Sequence, residues 1–398
     1  MQSKIRVAVI GTTGLPARYG GFETLAHHLV DQLGTEVDFT VYCSDKYLGK
    51  ASKRLSVFNG AKLIYLPLNA NGYQSVIYDM ISMFHAIRKA DVLVVLGVSG
   101  AMIFPLLKLV TRKKIIVNID GQEWKRPKWN WFAKSVLKFS EQMAVRFADV
   151  VVTDNKVIQH YVQSNYNRSD SWLIEYGGDH VKSQPFTNSQ FEQYPFLVEP
   201  YAFNVSRIEP ENNIHMILDA FSRVPQQSLV IVGLWNHGKY GMELKSKYSN
   251  YPNIHLLDPI YDQNQLNSIR SNAKFYVHGH SAGGTNPSLV EAMCLGLPIL
   301  SYGINFNRDT TNHRARYFNN AEELLTQLSF FSKTDLTQMG LELQQYGMQK
   351  YAWRRIASLY FSAIKGETNA VAELSFGFSN QSAQTIELKT KTVKTAAA

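Results

Sequence analysis

Apolar runs of strand type alternate with helical stretches along this chain, and the alternation starts again after an interruption. The first set of runs begins at residues 4–10, IRVAVIG, and the second begins at residues 201–208, YAFNVSRI. Strands that alternate with helices form a parallel sheet covered on both faces. At 398 residues the chain is too long for one ordinary core, and its length suits two such domains. The pattern therefore predicts an α/β fold with two parallel sheets.

The interruption predicts where the chain divides. Residues 179–199 are polar, contain prolines and show no clear period, so they are the predicted linker. They separate a Rossmann-like domain at residues 1–178 from a second one at residues 200–345, and a long helical pattern covers residues 334–364. Residues 367–398 have the composition of a poorly ordered tail. Two α/β domains joined by one linker place a cleft between the carboxyl ends of their sheets, where such sheets bind ligands.

The composition describes a globular protein with a basic surface. Hydrophobic residues make up 45% of the chain and charged residues 18%, which excludes a disordered protein. The net charge of +9 favours an anionic partner, which is a nucleic acid, an anionic lipid or a phosphorylated substrate. Charge alone does not choose among these three.

A few short segments indicate the cellular compartment of the protein and whether it contacts a membrane. Cys43 and Cys294 each lie in an apolar run, so buried thiols in a reducing cytoplasm are favoured over a disulfide. The N-terminus runs straight into a strand and leaves no room for a signal peptide. Residues 92–107 are uncharged but too short to span a bilayer, and they are interpreted as a strand followed by a helix. With apolar residues 78–84 before this run and basic residues 112–114 after it, contact with a membrane surface stays open, although a buried α/β layer is favoured.

A strand, a glycine-rich loop, a helix and a second strand are predicted within residues 276–302. Pro287 suits the first helical position because its missing N–H would be unpaired there. The backbone amides that gather at this positive helix end belong to Gly283, Gly284, Thr285 and Asn286. Such an end holds anions, and Glu291, one turn further in, is placed to accept hydrogen bonds from a sugar hydroxyl. A plain surface loop before a buried helix explains the same residues.

A second glycine-rich loop follows the first strand. Gly11 and Gly14 do not have the spacing of the dinucleotide fingerprint, and no acidic residue ends the second strand. The candidate ligand contacts in this loop are Arg18, Tyr19, Gly20, Gly21 and Glu23. The small residues let a ligand approach the backbone closely. The alternative is a tight turn in which Glu23 only complements the helix dipole.

Asp120 directly follows the strand at residues 114–119 and is predicted to lie at the carboxyl edge of the first sheet. A carboxylate there can orient or deprotonate an acceptor hydroxyl, or it can simply cap a helix. Residues 124–131, which include Arg126, mix bases with aromatic side chains. That mixture fits a nucleic-acid platform, a site for a lipid diphosphate head group or an amphipathic surface helix.

Arg207 ends the first strand of the second domain, so its guanidinium is predicted to face the cleft and bind phosphate. The alternative is a surface ion pair with Glu209 or Glu211. The histidines form no metal set, because His278 and His280 have no carboxylate or Cys partner at ligand spacing. We therefore expect no metal.

The motifs around these candidates resemble those of retaining glycosyltransferases of family 4, which have the GT-B fold. The segment S-x-G-G-T-N-P-S-L-V-E-A-M-x-x-G-L-P-I at residues 281–299 is similar to the nucleotide-binding motif, and G-G-x-E at residues 20–23 is similar to the first loop. The resemblance covers residues 4–365 with the motifs in the family's order. It implies that the helix at residues 346–366 crosses back onto the first domain, and that the reaction needs no metal and no cofactor beyond a nucleotide-sugar donor.

The same resemblance implies roles for individual residues. Glu291 would hold the ribose, the glycine-rich loops would bind the donor, Arg207 would neutralise the leaving diphosphate, and Asp120 would orient the acceptor. Arg18, Tyr19, Glu23 and Arg126 are the residues assigned to the acceptor. The chain departs from the family pattern twice, with Gly283 in place of a glutamate and Asn212 in place of a lysine, and both residues are still assigned to the donor.

A narrower resemblance concerns the substrates. The segment P-A-R-Y-G-G-F-E-T at residues 16–24 is similar to bacterial rhamnosyltransferases of capsule and surface polysaccharide assembly, as is N-R-x-T-T at residues 307–311. It implies dTDP-L-rhamnose, or a UDP-sugar, as donor and a polyprenyl-diphosphate-linked sugar, with glucose favoured, as acceptor. The resemblance also implies a cytoplasmic enzyme on the inner face of the plasma membrane, with no nucleic-acid partner. Two alternatives stay open, a nucleotide-sugar epimerase of the same fold and a non-catalytic partner of another transferase.

Overall fold

The computed structural model describes residues 3–17, 20–46, 54–119, 121–126, 129–330 and 333–368. Its strands are β1 (Ile5–Ile10), β2 (Val37–Ser44), β3 (Val57–Phe58), β4 (Ala61–Leu66), β5 (Val92–Leu96), β6 (Lys114–Ile119), β7 (Val150–Thr153), β8 (Trp172–Leu173), β9 (Tyr201–Val205), β10 (Ser228–Val232), β11 (Ile254–Leu257), β12 (Phe275–His278), β13 (Ile299–Tyr302) and β14 (Arg316–Phe318). Its α-helices are α1 (Gly21–Leu33), α2 (Gln74–Ala86), α3 (Phe104–Val110), α4 (Trp131–Phe147), α5 (Lys156–Tyr166), α6 (Asn188–Gln193), α7 (Ile214–Ser222), α8 (Lys239–Tyr248), α9 (Gln263–Ser271), α10 (Pro287–Cys294), α11 (Asn305–Thr310), α12 (Ala321–Phe330), α13 (Lys333–Lys350) and α14 (Trp353–Lys365).

The first sheet has the strand order β3-β4-β2-β1-β5-β6-β7-β8, and its pairs are parallel except for β3 with β4. Successive side chains of β1 alternate between two cores, as the period of a strand requires. Val7 and Val9 pack with α1 and α14, while Ala8 and Ile10 pack with α2, α3 and α4. The strand order reverses at β1, so the loops after β1 and β5 open a crevice at the carboxyl edge of this sheet.

The second sheet has the order β11-β10-β9-β12-β13-β14, and its pairs are parallel. Phe203 and Tyr276 face one core and Ala202 and Val277 face the other, so both faces of this sheet are also covered. The order reverses between β9 and β12, which places the residues that follow these two strands side by side. The predicted α/β fold with two Rossmann-like domains is confirmed.

The C-terminal helical pattern is interrupted, which differs from the single long helix predicted at residues 334–364. Helix α13 ends at Lys350 and α14 begins at Trp353. Leu343 of α13 packs in a core of the second sheet, whereas Ile356 and Tyr360 of α14 pack in a core of the first sheet. The break is therefore the point at which the chain passes from one domain to the other.

Two further segments are more ordered than their sequence suggests. Residues 305–318 look polar and irregular but contain α11 and β14, whose shortness leaves too few residues for a visible period. The predicted linker contains α6, which begins with a capping box between Thr187 and Gln190.

Other expectations concern burial, the membrane and the tail. Cys43 and Cys294 are both buried free thiols, as predicted. In the part of the chain that the structure describes, no helix is long and apolar enough to cross a membrane. Beyond residue 368 the predicted tail lies outside the described residues.

Candidate active site

The two domains meet through the loops at the carboxyl edges of their sheets. A Cβ atom on Gly21, at the start of α1, would lie 3.4 Å from the ring of Pro287, at the start of α10. A Cβ on Gly121, after β6, would lie 2.6 Å from the carbonyl carbon of Gly283. The structure therefore brings the N-termini of α1 and α10 together, and the positive ends of both helix dipoles face the cleft.

The glycine-rich loop before α10 has two positions that require glycine for different reasons. Gly283 has φ +107°, where an L side chain is strained, and it faces open space. At Gly284 a Cβ would lie 2.0 Å from Oδ1 of Asp154, in the first domain. At Gly283 and Gly284 the loop thus carries no side chain, and its backbone there is open to close approach by a ligand at Gly283 and by the first domain at Gly284.

Both ends of this loop are anchored to the second domain. Ser281 donates to the carbonyl of Glu211 from its backbone N–H and from its hydroxyl, each at 2.8 Å. The side-chain oxygen of Asn286 caps α10 by accepting from the backbone N–H of Ser288 at 3.0 Å. Asn286 therefore uses its carbonyl oxygen within the helix end, and only its amide nitrogen is left for the predicted contact with a donor.

Glu291 lies on α10 between two partners that sequence reasoning missed. Its Oε2 accepts a hydrogen bond from Arg270 of α9, which is 1% exposed, and its Oε1 lies 3.3 Å from Nε2 of His180. Burial raises the pKa of Glu291, but the charge of Arg270 and the hydrogen bonds from His180 and Arg270 outweigh it and bring the pKa to about 2. The carboxylate is therefore ionised at neutral pH, and its side chain still keeps 16% of its surface exposed.

The tautomer of His180 follows from its two contacts. Trp353 donates from its indole N–H to Nδ1 of His180 at 3.0 Å, so Nδ1 is an acceptor and the proton of a neutral ring is on Nε2. That proton points to Glu291. The indole ring of Trp353 also stacks on His28 with ring centres 4.2 Å apart. Residues of the first domain, the linker and the crossing segment thus orient the carboxylate of the second domain.

Arg207 and Asn212 occupy one loop after β9 and have different positions. Arg207 is exposed, and its backbone carbonyl accepts a hydrogen bond of 2.6 Å from Nδ2 of Asn212, which is buried. Asn212 therefore shapes the loop that carries Arg207. Its predicted contact with the donor stays a prediction.

Arg126 of the first domain is paired with Glu123, Nε to Oε2 at 2.7 Å, and its charge also acts on the second domain. Burial lowers the pKa of His280, and His278 and the charges of Arg207 and Arg126 lower it further. Arg126 also lowers the pKa of Glu211, which burial and a hydrogen bond with Glu209 raise. The charges of two arginines from different domains thus both reach His280, which precedes the glycine-rich loop.

The predicted residues of the first loop are described only in part. Glu23 is 7% exposed, and its Oε1 accepts hydrogen bonds from the backbone N–H and the hydroxyl of Thr13 at 2.7 and 2.8 Å. Burial raises the pKa of Glu23, against the hydrogen bonds from Thr13. Glu23 therefore holds the loop, and its predicted contact with an acceptor stays a prediction. Arg18, Tyr19 and Asp120 lie outside the described residues.

The structure offers no evident cation site among the described residues, where no group of three or more His, Cys, Asp or Glu side chains is placed to hold a metal ion. His278 and His280 stack with ring centres 4.5 Å apart and an angle of 8° between the planes. Their parallel rings direct the nitrogens side by side instead of converging on one point.

Comparison with protein families divides the chain in the same way as its two sheets. Residues 4–179 match the domain of unknown function DUF1972, and residues 187–333 match the glycosyl transferases group 1. The chain is a group 1 glycosyltransferase with an N-terminal DUF1972 domain. As a group 1 glycosyltransferase it transfers a sugar from a nucleotide sugar. A search of the curated proteins found no match.

Solved structures of similar shape support the GT-B fold of this glycosyltransferase. Sucrose-phosphate synthase from Thermosynechococcus elongatus is 15% identical with a TM-score of 0.76, and the match covers 89% of this chain and 96% of that one. Anabaena Alr3699/HepE in complex with UDP-glucose is 12% identical with a TM-score of 0.68, over 91% and 99% of the two chains. A putative UDP-N-acetylglucosamine 2-epimerase from Listeria monocytogenes is 14% identical with a TM-score of 0.61, over 91% and 96%. At these identities the likeness establishes the fold alone.

Proposed function

We propose that this group 1 glycosyltransferase moves a sugar from a nucleoside diphosphate donor to a hydroxyl acceptor with retention of the anomeric configuration. The observation that carries the proposal is the glycine-rich loop at Gly283 and Gly284, which follows β12 and meets the first domain, beside the residues that follow the neighbouring strand β9 and include Arg207. Backbone amides at a helix N-terminus and a guanidinium group suit a diphosphate. The complex of Alr3699/HepE with UDP-glucose supports the same class of donor.

In this proposal Glu291 binds the ribose. Arg270 and His180 keep its carboxylate ionised and fixed in direction, and the lone pairs that they leave free accept hydrogen bonds from ribose hydroxyls. The amides of the loop from Gly283 to Asn286 bind the donor sugar and phosphate, together with Gly20 and Gly21 at the start of α1.

Transfer then requires charge stabilisation at the leaving group and orientation of the acceptor. Arg207 stabilises the departing diphosphate, which carries the developing negative charge. The acceptor hydroxyl attacks from the same face, its proton passes to the leaving phosphate oxygen, and Asp120 orients that hydroxyl. No protein nucleophile takes part in this scheme.

We further propose dTDP-L-rhamnose as donor and a polyprenyl-diphosphate-linked sugar, with glucose favoured, as acceptor. The support is the resemblance of the segments at residues 16–24 and 307–311 to bacterial rhamnosyltransferases. Arg126 and the basic aromatic segment around it suit the diphosphate of such an acceptor. UDP-sugars are the alternative donors.

An exposed apolar face of the first domain supports contact with the inner face of the plasma membrane. Tyr73, Ile77, Ile81 and Phe84 form one stripe along α2 and are 67%, 54%, 44% and 38% exposed. The sequence favoured a buried layer here, and only the opposite side of α2, with Tyr78, is buried. On α4 of the same domain, Trp131, Phe132 and Phe139 are also exposed, and Nζ of Lys138 lies 4.0 Å from the ring centre of Trp124. Apolar side chains among bases are the composition of an interfacial surface.

Thermal unfolding with dTDP, UDP, GDP, ADP and NAD tests the donor class first. A nucleotide at about 100 times its dissociation constant adds roughly 2.7 kcal/mol of stability and raises the midpoint by about a few degrees. A shift with dTDP or UDP alone supports the proposal and selects the donor for a transfer assay, in which the product is followed by mass spectrometry. Consumption of the donor without an acceptor would instead favour an epimerase, and no shift with any nucleotide would favour a non-catalytic partner.

A further inference from the structure

Asn155 is a buried residue of the first domain that contacts the second domain. It follows β7, is 1% exposed, and caps α5 with its Oδ1, which accepts from the backbone N–H of Val157 at 2.9 Å. Because an N–H donor fixes this oxygen, the amide nitrogen of Asn155 must point the other way. The direction of the side chain is therefore set by the helix that it caps.

The amide nitrogen of Asn155 lies within hydrogen-bond reach of three acceptors of the second domain. They are Oγ1 of Thr285 at 3.4 Å, the carbonyl oxygen of Phe306 at 3.3 Å and Oγ1 of Thr310 at 3.3 Å. Thr285 belongs to the glycine-rich loop, and the other two belong to α11. One side chain of the first domain thus bridges the donor-binding loop and the segment N-R-x-T-T, whose physical role is not visible in the sequence.

The hydroxyl groups of the two threonines are oriented to accept from Asn155. Thr285 donates its own proton to the backbone carbonyl of Asp154, and Thr310 donates to the carbonyl of Phe306 at 2.9 Å. Both oxygens therefore present lone pairs to the amide of Asn155. An acceptor in place of that amide would face the carbonyl of Phe306, and either threonine could donate to it only by giving up the bond that its hydroxyl now donates.

Neighbouring contacts extend the same interface. The backbone N–H of Lys156 donates to Oδ2 of Asp309 at 3.2 Å. Tyr351, just before α14, donates from its hydroxyl to the carbonyl of Thr310 at 2.7 Å and accepts at its own carbonyl from the N–H of Gly178 at 2.8 Å. The contact at Asn155 is thus tied to both segments at which the chain crosses between domains.

We propose that Asn155 is a positioning residue that holds Thr285, and with it the donor-binding loop, against the first domain. It keeps the cleft in the arrangement in which Gly284 meets Asp154. The donor then binds to a loop that is already placed, and less of its binding free energy is spent on closing the domains. The effect on domain opening is independent of the proposed function, whereas the effect on turnover rests on it.

The substitution Asn155→Asp separates this contact from the helix cap. Aspartate keeps the size of the side chain and the oxygen that caps α5, but it has no N–H and turns an oxygen toward the three acceptors. The matched control is Asn130→Asp, because Asn130 caps α4 in the same way, accepting from the backbone N–H of Ala133 at 2.9 Å. Thr310→Val removes the hydroxyl on the other side of the contact without charge, and Thr310→Ser restores it.

The measurements are small-angle scattering, nucleotide affinity and steady-state kinetics on the full chain. We expect a larger radius of gyration for Asn155→Asp and Thr310→Val, and a nucleotide dissociation constant raised about tenfold, the size of effect for losing buried hydrogen bonds. The KM for the donor should rise more than kcat falls, because a bound donor still closes the cleft. Thr310→Ser should resemble the wild type in all of these measurements, and Asn130→Asp, which lies in the segment proposed for the acceptor, should resemble it in scattering and in nucleotide affinity.

Folded Asn155→Asp and Thr310→Val variants with unchanged scattering and unchanged affinity would overturn the proposal. Equal effects of Asn155→Asp and Asn130→Asp would reduce Asn155 to a helix cap. A change in scattering without any transfer by the wild-type protein would leave the positioning contact standing and refute the proposed function. The two failures are therefore distinguishable.

Discussion

Replacement of Glu291 by Gln tests whether a buried ion pair with Arg270 holds the proposed ribose site. Burial opposes ionisation, but the charge of Arg270 and the hydrogen bonds outweigh it, and the pKa of Glu291 falls from 4.5 to about 2. A depressed pKa in the folded state contributes stability above the unfolded pKa, and this contribution is lost as the pH falls through the folded pKa. At neutral pH the lowered pKa of Glu291 contributes about 3 kcal/mol to the free energy of unfolding, at about 1.4 kcal/mol for each unit of pKa.

We expect the Glu291→Gln variant to unfold more easily by about 3 kcal/mol at neutral pH, because Arg270 stays buried without a counter-charge. As Glu291 of the wild type approaches protonation, the two proteins should converge, and the difference should shrink by about 2 kcal/mol between about pH 7 and about pH 3. Urea denaturation across this range measures the difference. Glu342→Gln, at an exposed position of the same domain, is the control and should show little effect at any pH. A loss that is the same at every pH would refute an ionised Glu291.

Three further predictions concern the cleft and the surface. Arg207→Ala should lower kcat by roughly 10²-fold, and the variant should stay folded because Arg207 is exposed. A variant with a normal unfolding midpoint and normal turnover would show that Arg207 does not stabilise the leaving group. Gly284→Ala should weaken nucleotide binding measured by calorimetry, because its Cβ would lie 2.0 Å from Oδ1 of Asp154 and push the domains apart; unchanged affinity would mean that this contact adapts. The double change Ile77→Ser and Ile81→Ser should reduce co-sedimentation with anionic vesicles while leaving nucleotide binding intact, and equal sedimentation would exclude this face from the membrane.

The strands could be predicted from the sequence because fully buried parallel strands are continuous apolar runs. Residues such as Val7 to Ile10 are apolar on both faces, and the shortness of the run and its β-branched residues favour a strand over a buried helix. The break between α13 and α14 could not be predicted, since Tyr351 and Ala352 continue the helical period and only the change of packing partner ends the helix. The local sequence pattern thus determines which strands and helices form. Where α13 ends depends on the packing of the chain, which leaves the core of the second domain and joins that of the first.

The part of the candidate site that lies in one contiguous segment could be predicted from the sequence. The residues that folding brings to it from distant segments could not. Gly283 to Glu291 form a contiguous motif whose chemistry is visible in the sequence. The partners of Glu291 come from α9 and from the linker, and neither Arg270 nor His180 stands out from its neighbours in the chain. Asn155 was hidden for the same reason, because its role depends on acceptors more than 100 residues away along the chain.

The two departures from the family pattern have a common physical consequence. A glutamate at Gly283 would have to adopt φ +107°, so the loop presents backbone there and no carboxylate. Asn212 uses its amide to hold the carbonyl of Arg207, and the positive charge that a lysine would bring is missing from the second domain. Arg126 of the first domain acts on His280 together with Arg207, but it is itself paired with Glu123. In the proposed function, stabilisation of the leaving diphosphate therefore falls to Arg207 and the backbone amides of the loop, and the contact at Asn155 that holds this loop bears on the chemistry without touching the donor.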